Sequence, residues 1–77
     1  MNKDRRKKLN DIIAILEDAK EALDNCASEE REYFENMPEN MQSSDKACNA
    51  ENAAGELESA VGYLECALDN INNALEQ

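Results

Sequence analysis

Carboxylates and thiols are the side chains through which this chain could act chemically, and both lack the partners that catalysis needs. Glu51, Glu58 and Glu65 recur every seven residues, while Asp11, Glu17, Asp18, Glu21 and Asp24 crowd one stretch nearer the N-terminus. Histidine is absent, which removes the commonest general base and the commonest transition-metal ligand. A di-iron carboxylate bundle needs Glu-x-x-His pairs, so that chemistry is excluded. Cys26, Cys48 and Cys66 form no CxxC pair and lack the spacing of a zinc site. No base is at hand to activate a Cys or Ser nucleophile, and no EF-hand or phosphate-binding loop occurs. These residues point to a non-enzymatic protein with no cofactor and no metal. What remains to the carboxylates is to present negative charge to a cationic surface.

The charge is distributed unevenly. Residues 1–8 carry Lys3, Arg5, Arg6, Lys7 and Lys8 against Asp4, a net +4. Residues 9–77 carry 17 acids against Lys20, Arg31 and Lys46, a net −14. A body this acidic repels nucleic acid and lipid head groups and attracts basic proteins. Direct nucleic-acid binding and membrane binding are therefore not expected. The longest apolar run, Ile12 to Leu16, is far too short for a membrane span or signal segment. Together with the odd number of cysteines, this favours a reducing, cytoplasmic setting.

Two long helices must position these carboxylates. In the last 25 residues alanine recurs at 53, 60, 67 and 74, and Leu57, Leu64 and Ile71 follow each of the first three by four. Ala54, Val61, Leu68 and Leu75 complete a 3-4-3-4 apolar spacing, the signature of a helix that lies along another. Upstream, Leu9, Ile12, Leu16, Ala19, Leu23, Cys26, Glu30, Tyr33 and Met37 keep the same spacing. Ile13, Ala27 and Phe34 widen that stripe on one flank, and Ile15 and Ala22 on the other. An arc this broad exceeds what one partner helix covers.

Helix one is predicted over about 4–35, capped by Asn2 or Asp4, and helix two over about 44–76, capped by Ser43 or Ser44. The connector, 36–43, contains a helical turn, with Asn36 and Glu39 as its capping pair and Pro38 in its first turn. The fold class is thus all-α: one antiparallel helical hairpin spanning 1–77. With Leu9 opposite Leu75, Leu16 meets Leu68, and Leu23 meets Val61. Tyr33, Phe34 and Met37 then meet Ala47, Ala50 and Ala54, large against small. This register keeps the cysteines too far apart for an intrachain disulfide. It also sets the basic N-terminus beside the negative C-terminal end of helix two.

A chain this short usually needs help to stabilise its core. Gly55 and Gly62 sit mid-helix, each costing about 1 kcal/mol relative to alanine. With Ser59, Cys66 and the surplus apolar residues Ile12 and Ile15, they suggest a contact strip for a second copy, giving a dimeric four-helix bundle. The simpler reading leaves the glycines as unselected surface positions. Tyr33, Phe34, Met37 and Met41 gather at the hairpin tip, where they would plug the open end of the bundle; the alternative is an exposed binding hot spot. The acidic rows serve either as a solvated face or as an imitation of a nucleic-acid backbone. Most acidic helices are merely solvated, which favours the first; the scarcity of lysine, which ordinary solubilising faces intersperse with acids, adds weight to the second.

The run Glu29-Glu30-Arg31-Glu32-Tyr33-Phe34-Glu35-Asn36-Met37-Pro38-Glu39-Asn40-Met41-Gln42-Ser43, followed by the Leu57-Glu58 and Leu64-Glu65 heptads, resembles a group of short acidic helical proteins. Phages and mobile elements of Gram-positive bacteria carry them. Where the group places a glycine after the connector serine, this chain has Ser44-Asp45-Lys46. The resemblance implies a helical hairpin in a bacterial cytoplasm and supplies no functional residues. It makes a phage-type inhibitor the leading expectation: an acidic dimer bound to a basic, nucleic-acid-binding host defence protein, of the anti-CRISPR or anti-restriction class. The alternatives are a coiled-coil assembly module of a phage or mobile element and, third, a sponge for a nucleotide signal.

Overall fold

The computed structural model describes residues 1–77 as helix α1, Lys3–Glu35, a single 3-10 turn, Glu39–Met41, and helix α2, Asp45–Leu75. Each long helix begins at a capped residue. Asn2 Oδ1 accepts the Arg5 backbone N–H at 2.7 Å, and Ser44 Oγ accepts the Ala47 N–H at 3.2 Å. Both are ordinary N-caps that satisfy a backbone donor left free by the first turn. Ser44 Oγ also donates to the Met41 carbonyl at 2.6 Å, which ties the start of α2 to the connector.

The connector differs from its sequence-based reading. Asn36 continues the helical conformation as the C-cap of α1, and no side chain caps the 3-10 turn. Pro38, with φ −58° and ψ 148°, stands at the N-cap of that turn rather than inside it. The expected Asn36–Glu39 capping pair does not form: the Asn36 N–H still donates to Glu32 O at 2.9 Å and the Met37 N–H to Phe34 O at 3.1 Å, which keeps both residues on the end of α1. The chain reverses without a residue of positive φ; the extended backbone of Pro38 makes the corner.

The helices run antiparallel as a rod, 59 Å long and only 16 by 13 Å in section. Its radius of gyration is 17.4 Å, against about 11.5 Å for a compact domain of this length. A two-helix rod has a seam but no deeper interior. Ala27, Ala47, Ala50, Ala54, Val61 and Leu68 are its buried residues, so the seam is closed mainly by small side chains. Alanine on α2 lets the helix axes approach, and Leu9, Ile13, Leu16, Leu23 and Phe34 of α1 lie half-buried along the same seam.

On α1 the seam sits one residue away from the predicted stripe. Leu9, Leu16 and Leu23 are shared, but Ile13, Ala27 and Phe34 face α2 in place of Ile12, Cys26 and Tyr33. Lys20, between Ile13 and Ala27, is carried in the seam by its alkyl stem while its ammonium reaches Glu65 at 3.6 Å. Ile12 is 42% and Ile15 64% exposed, so a complete apolar row of α1 faces away from its own partner helix. Arg6 closes the far end of the rod. Its Nη1 donates to the Leu75 carbonyl at 2.6 Å and its Nη2 to the Gln77 carbonyl at 3.3 Å. That places a cation on the unsatisfied, negative end of α2, as the register predicts.

The offset seam makes a sharp prediction. Ala27→Leu overfills a closed site and should cost about 1–3 kcal/mol, whereas Ala14→Leu on the exposed face should change stability by less than about 0.5 kcal/mol. Urea denaturation followed by circular dichroism measures both; equal costs would place the seam elsewhere.

Candidate interaction surfaces

Because the helices are antiparallel, residues beside the seam on α1 meet their counterparts on α2 along two separate flanks. One flank is defined by Arg31. Its Nη2 donates to Glu58 Oε1 at 2.8 Å and its Nε to Glu58 Oε2 at 3.2 Å, a two-pronged contact between helices. The opposite flank is defined by Lys46, whose Nζ lies 5.9 Å from the centre of the Tyr33 ring.

The carboxylates divide accordingly. Glu17, Asp24, Glu51, Glu58 and Glu65 border the Arg31 flank, and Asp11, Asp18 and Glu21 continue around the outside of α1. All eight are exposed. Three are already paired within the chain: Glu58 with Arg31, Glu65 with Lys20, and Asp11 with Lys7 at 3.7 Å. Glu17, Asp18, Glu21, Asp24 and Glu51 make no ion pair. The three-fold repeat on α2 is thus less of a free acidic ridge than its spacing suggested. The free carboxylates belong mostly to α1.

The hydrogen bonds with Arg31 hold the Glu58 carboxyl below its ordinary range, against the opposing effect of desolvation. The same contact raises the Arg31 guanidinium, with Glu51 and Glu35 adding to it from further off. Arg31 and Lys20 are the functional residues that composition alone passed over. Lys20 was legible, since the register sets it near Glu65. Arg31 was not, because a helical side chain leans toward its own N-terminus and reaches a turn beyond its nominal partner.

The expected contact strip is not one surface. Gly55 lines an open polar hollow on the acidic flank with Arg31, Glu51 and Ser59. Gly62 follows Gly55 by seven residues on that flank, and Cys66 follows Ser59 by seven on the outer face of α2. Ile12 and Ile15 belong to the other flank, in line with Tyr33, so the structure does not bring them to the glycines. A Cβ at either glycine would meet nothing within 4 Å, so packing within the chain does not call for glycine at either position.

The tip is divided too. Phe34 and Met37 are half-buried and close the seam, whereas Tyr33 and Met41 are 45% and 43% exposed. Tyr33, Met37, Pro38, Met41 and Lys46 border a shallow depression there. Cys26, Cys48 and Cys66 are free and exposed. No three Cys, Asp or Glu side chains converge as a metal site would require, and neither helix is long and apolar enough to cross a membrane. No family model, curated protein or solved structure matches the chain.

Two outcomes follow from this geometry. Glu58 has a lowered folded-state pKa, so its stabilising effect is present above the ordinary carboxylate range and is lost as pH falls through the folded value. The stability advantage of the wild type over Glu58→Gln should therefore be greatest near neutral pH and shrink steadily as pH falls below the ordinary carboxylate range in denaturant titrations. Gly55→Ala and Gly62→Ala should each raise the stability of the isolated chain by about 0.5–1 kcal/mol, measured as an upward shift in Tm.

Proposed function

We propose that this chain is a non-enzymatic, acidic interaction module that occupies the nucleic-acid-binding surface of a basic protein. The single observation behind this reading is the set of exposed carboxylates without internal partners, Glu17, Asp18, Glu21, Asp24 and Glu51. They are carried on two helices whose mutual packing holds them in rows. On one helix, carboxylates seven residues apart stand about 10.5 Å apart along the axis. A chain with a net charge of −10 that sets such rows on a stiff rod offers the electrostatic outline of a phosphate backbone. The resemblance of the Glu29–Ser43 run to phage and mobile-element proteins gives the partner class: a basic, nucleic-acid-binding host defence protein in a bacterial cytoplasm, as in anti-CRISPR or anti-restriction inhibition. In this reading the chain acts as a homodimer and binds neither nucleic acid nor membrane itself. A second reading, a coiled-coil assembly module, draws on the exposed apolar row of α1. The structure offers no cationic pocket to favour the nucleotide sponge.

The two leading readings separate in one experiment. The immobilised chain is exposed to lysate of a Gram-positive host at low and high salt, and the retained proteins are identified by mass spectrometry. Inhibition predicts basic nucleic-acid-binding proteins that are released by salt and displaced by duplex DNA. The combined variant Asp18→Lys, Glu21→Lys, Asp24→Lys, Glu51→Lys should lose at least about ten-fold in affinity for them, since several charge pairs reverse sign together. Retention that survives both salt and charge reversal would overturn the electrostatic reading.

A further inference from the structure

We infer that a second copy of this chain covers the apolar flank opposite Arg31, related by a two-fold axis that crosses the rod near Ala19 of α1 and Ala67 of α2. The inference rests on the homodimer reading above and gives it a face and an orientation.

The flank is built from two rows. On α1 the residues Ile12, Ile15, Ala19, Ala22 and Cys26 alternate by three and four, and all are exposed. On α2 the half-buried alanines Ala60, Ala67 and Ala74 recur at seven. Placed antiparallel to itself with Ala19 on the axis, the first row sets Ile12 over Cys26 of the second copy and Ile15 within one residue of its Ala22. Large faces small throughout. The second row is symmetric about Ala67, so Ala60 faces Ala74 of the second copy. Both rows must share one axis for a rigid hairpin to use both, and they do. Lys20, next to Ala19, touches Glu65, two residues before Ala67, at 3.6 Å, so the hairpin holds the two centres at one level.

Charge selects the same arrangement. Lys8 and Arg5 extend the α1 row toward the basic end, and Glu29 extends it toward the tip; none of the three has an ion-pair partner in the chain. The two-fold brings Lys8 level with Glu30 of the second copy and beside its Glu29. A parallel pairing would set base on base and acid on acid. The other flank, lined by Glu17, Asp24, Glu51, Glu58 and Glu65, would repel its own copy. The exposed area is also of the right size. The chain exposes 5675 Å², about 1,000 Å² more than a compact protein of its 8.6 kDa mass, and a standard interface buries about 800 Å² per partner.

The test uses the full chain with Cys26, Cys48 and Cys66 changed to serine and a single cysteine introduced by Ala19→Cys, Ala67→Cys or, as control, Gly62→Cys. Diamide oxidation should give a disulfide-linked dimer for the first two and not for the third, because only residues on the axis meet their own copies. Sedimentation should show twice the chain mass for the cysteine-to-serine background. Ile15→Glu, an exposed position whose helical signal serves as the folding control, should halve it. A dimer that cross-links through Gly62→Cys and tolerates Ile15→Glu overturns the face while leaving the homodimer intact. A single-chain mass at all micromolar concentrations overturns both. Salt-sensitive binding to a basic protein by the Ile15→Glu chain is read separately, and would leave the inhibitor reading standing without the dimer.

Discussion

Alanine against larger side chains along one antiparallel seam is the contact on which this protein's shape depends. Ala47 and Ala54 are completely enclosed and Ala27 and Ala50 nearly so, while no large side chain is fully buried. Close approach of two helix axes, rather than a deep hydrophobic interior, therefore provides the packing. The consequence is a thin rod whose remaining side chains face solvent or a partner. Everything proposed about its function concerns surfaces for that reason.

The seam also sorts the surface. In an antiparallel pair each flank is made by like positions of both helices, so a bias in one heptad position is doubled across the seam. Here one flank collects Glu17, Asp24, Glu51, Glu58 and Glu65, and the other collects Ile12, Ala19, Cys26 and Tyr33 with Ala53, Ala60, Ala67 and Ala74. The acidic flank is moderated by Arg31 and Lys20, which reach it from the edge of the seam. These exposed contacts contribute little to stability by themselves. Their effect is to fix which carboxylates are available to another molecule. A charged flank and an apolar flank on one rod allow two kinds of contact at once without competition between them.

The ends of the rod are unlike each other as well. The Arg6 side chain covers the last carbonyls of α2, so the basic segment has a structural task within the chain. Lys7 pairs with Asp11, and Lys3, Arg5 and Lys8 are free to meet acidic groups elsewhere. At the opposite end Pro38 turns the chain and leaves Tyr33 and Met41 exposed beside Lys46.

Much of this was fixed by local chemistry. The 3-4 spacing around Val61 and Leu68 and the cap at Ser44 follow from periodicity and capping chemistry, which act over a few residues, and the antiparallel register of two such helices sets the basic segment beside the end of α2. Tertiary packing decided the rest. Leu9, Leu16 and Leu23 accept either neighbouring row of α1 as their companion, and sequence alone favours the row of Ile12, Cys26 and Tyr33 because the other contains Lys20. Packing chose the other row: Phe34 has no hydroxyl to leave unsatisfied, Ala27 admits the close approach, and a lysine stem can lie in a seam while its charge leaves by the side. That choice turned Ile12 and Ile15 outward and parted them from Gly55 and Gly62. Which apolar row is surplus is a property of two helices together, because each row is buried or exposed only relative to the other helix.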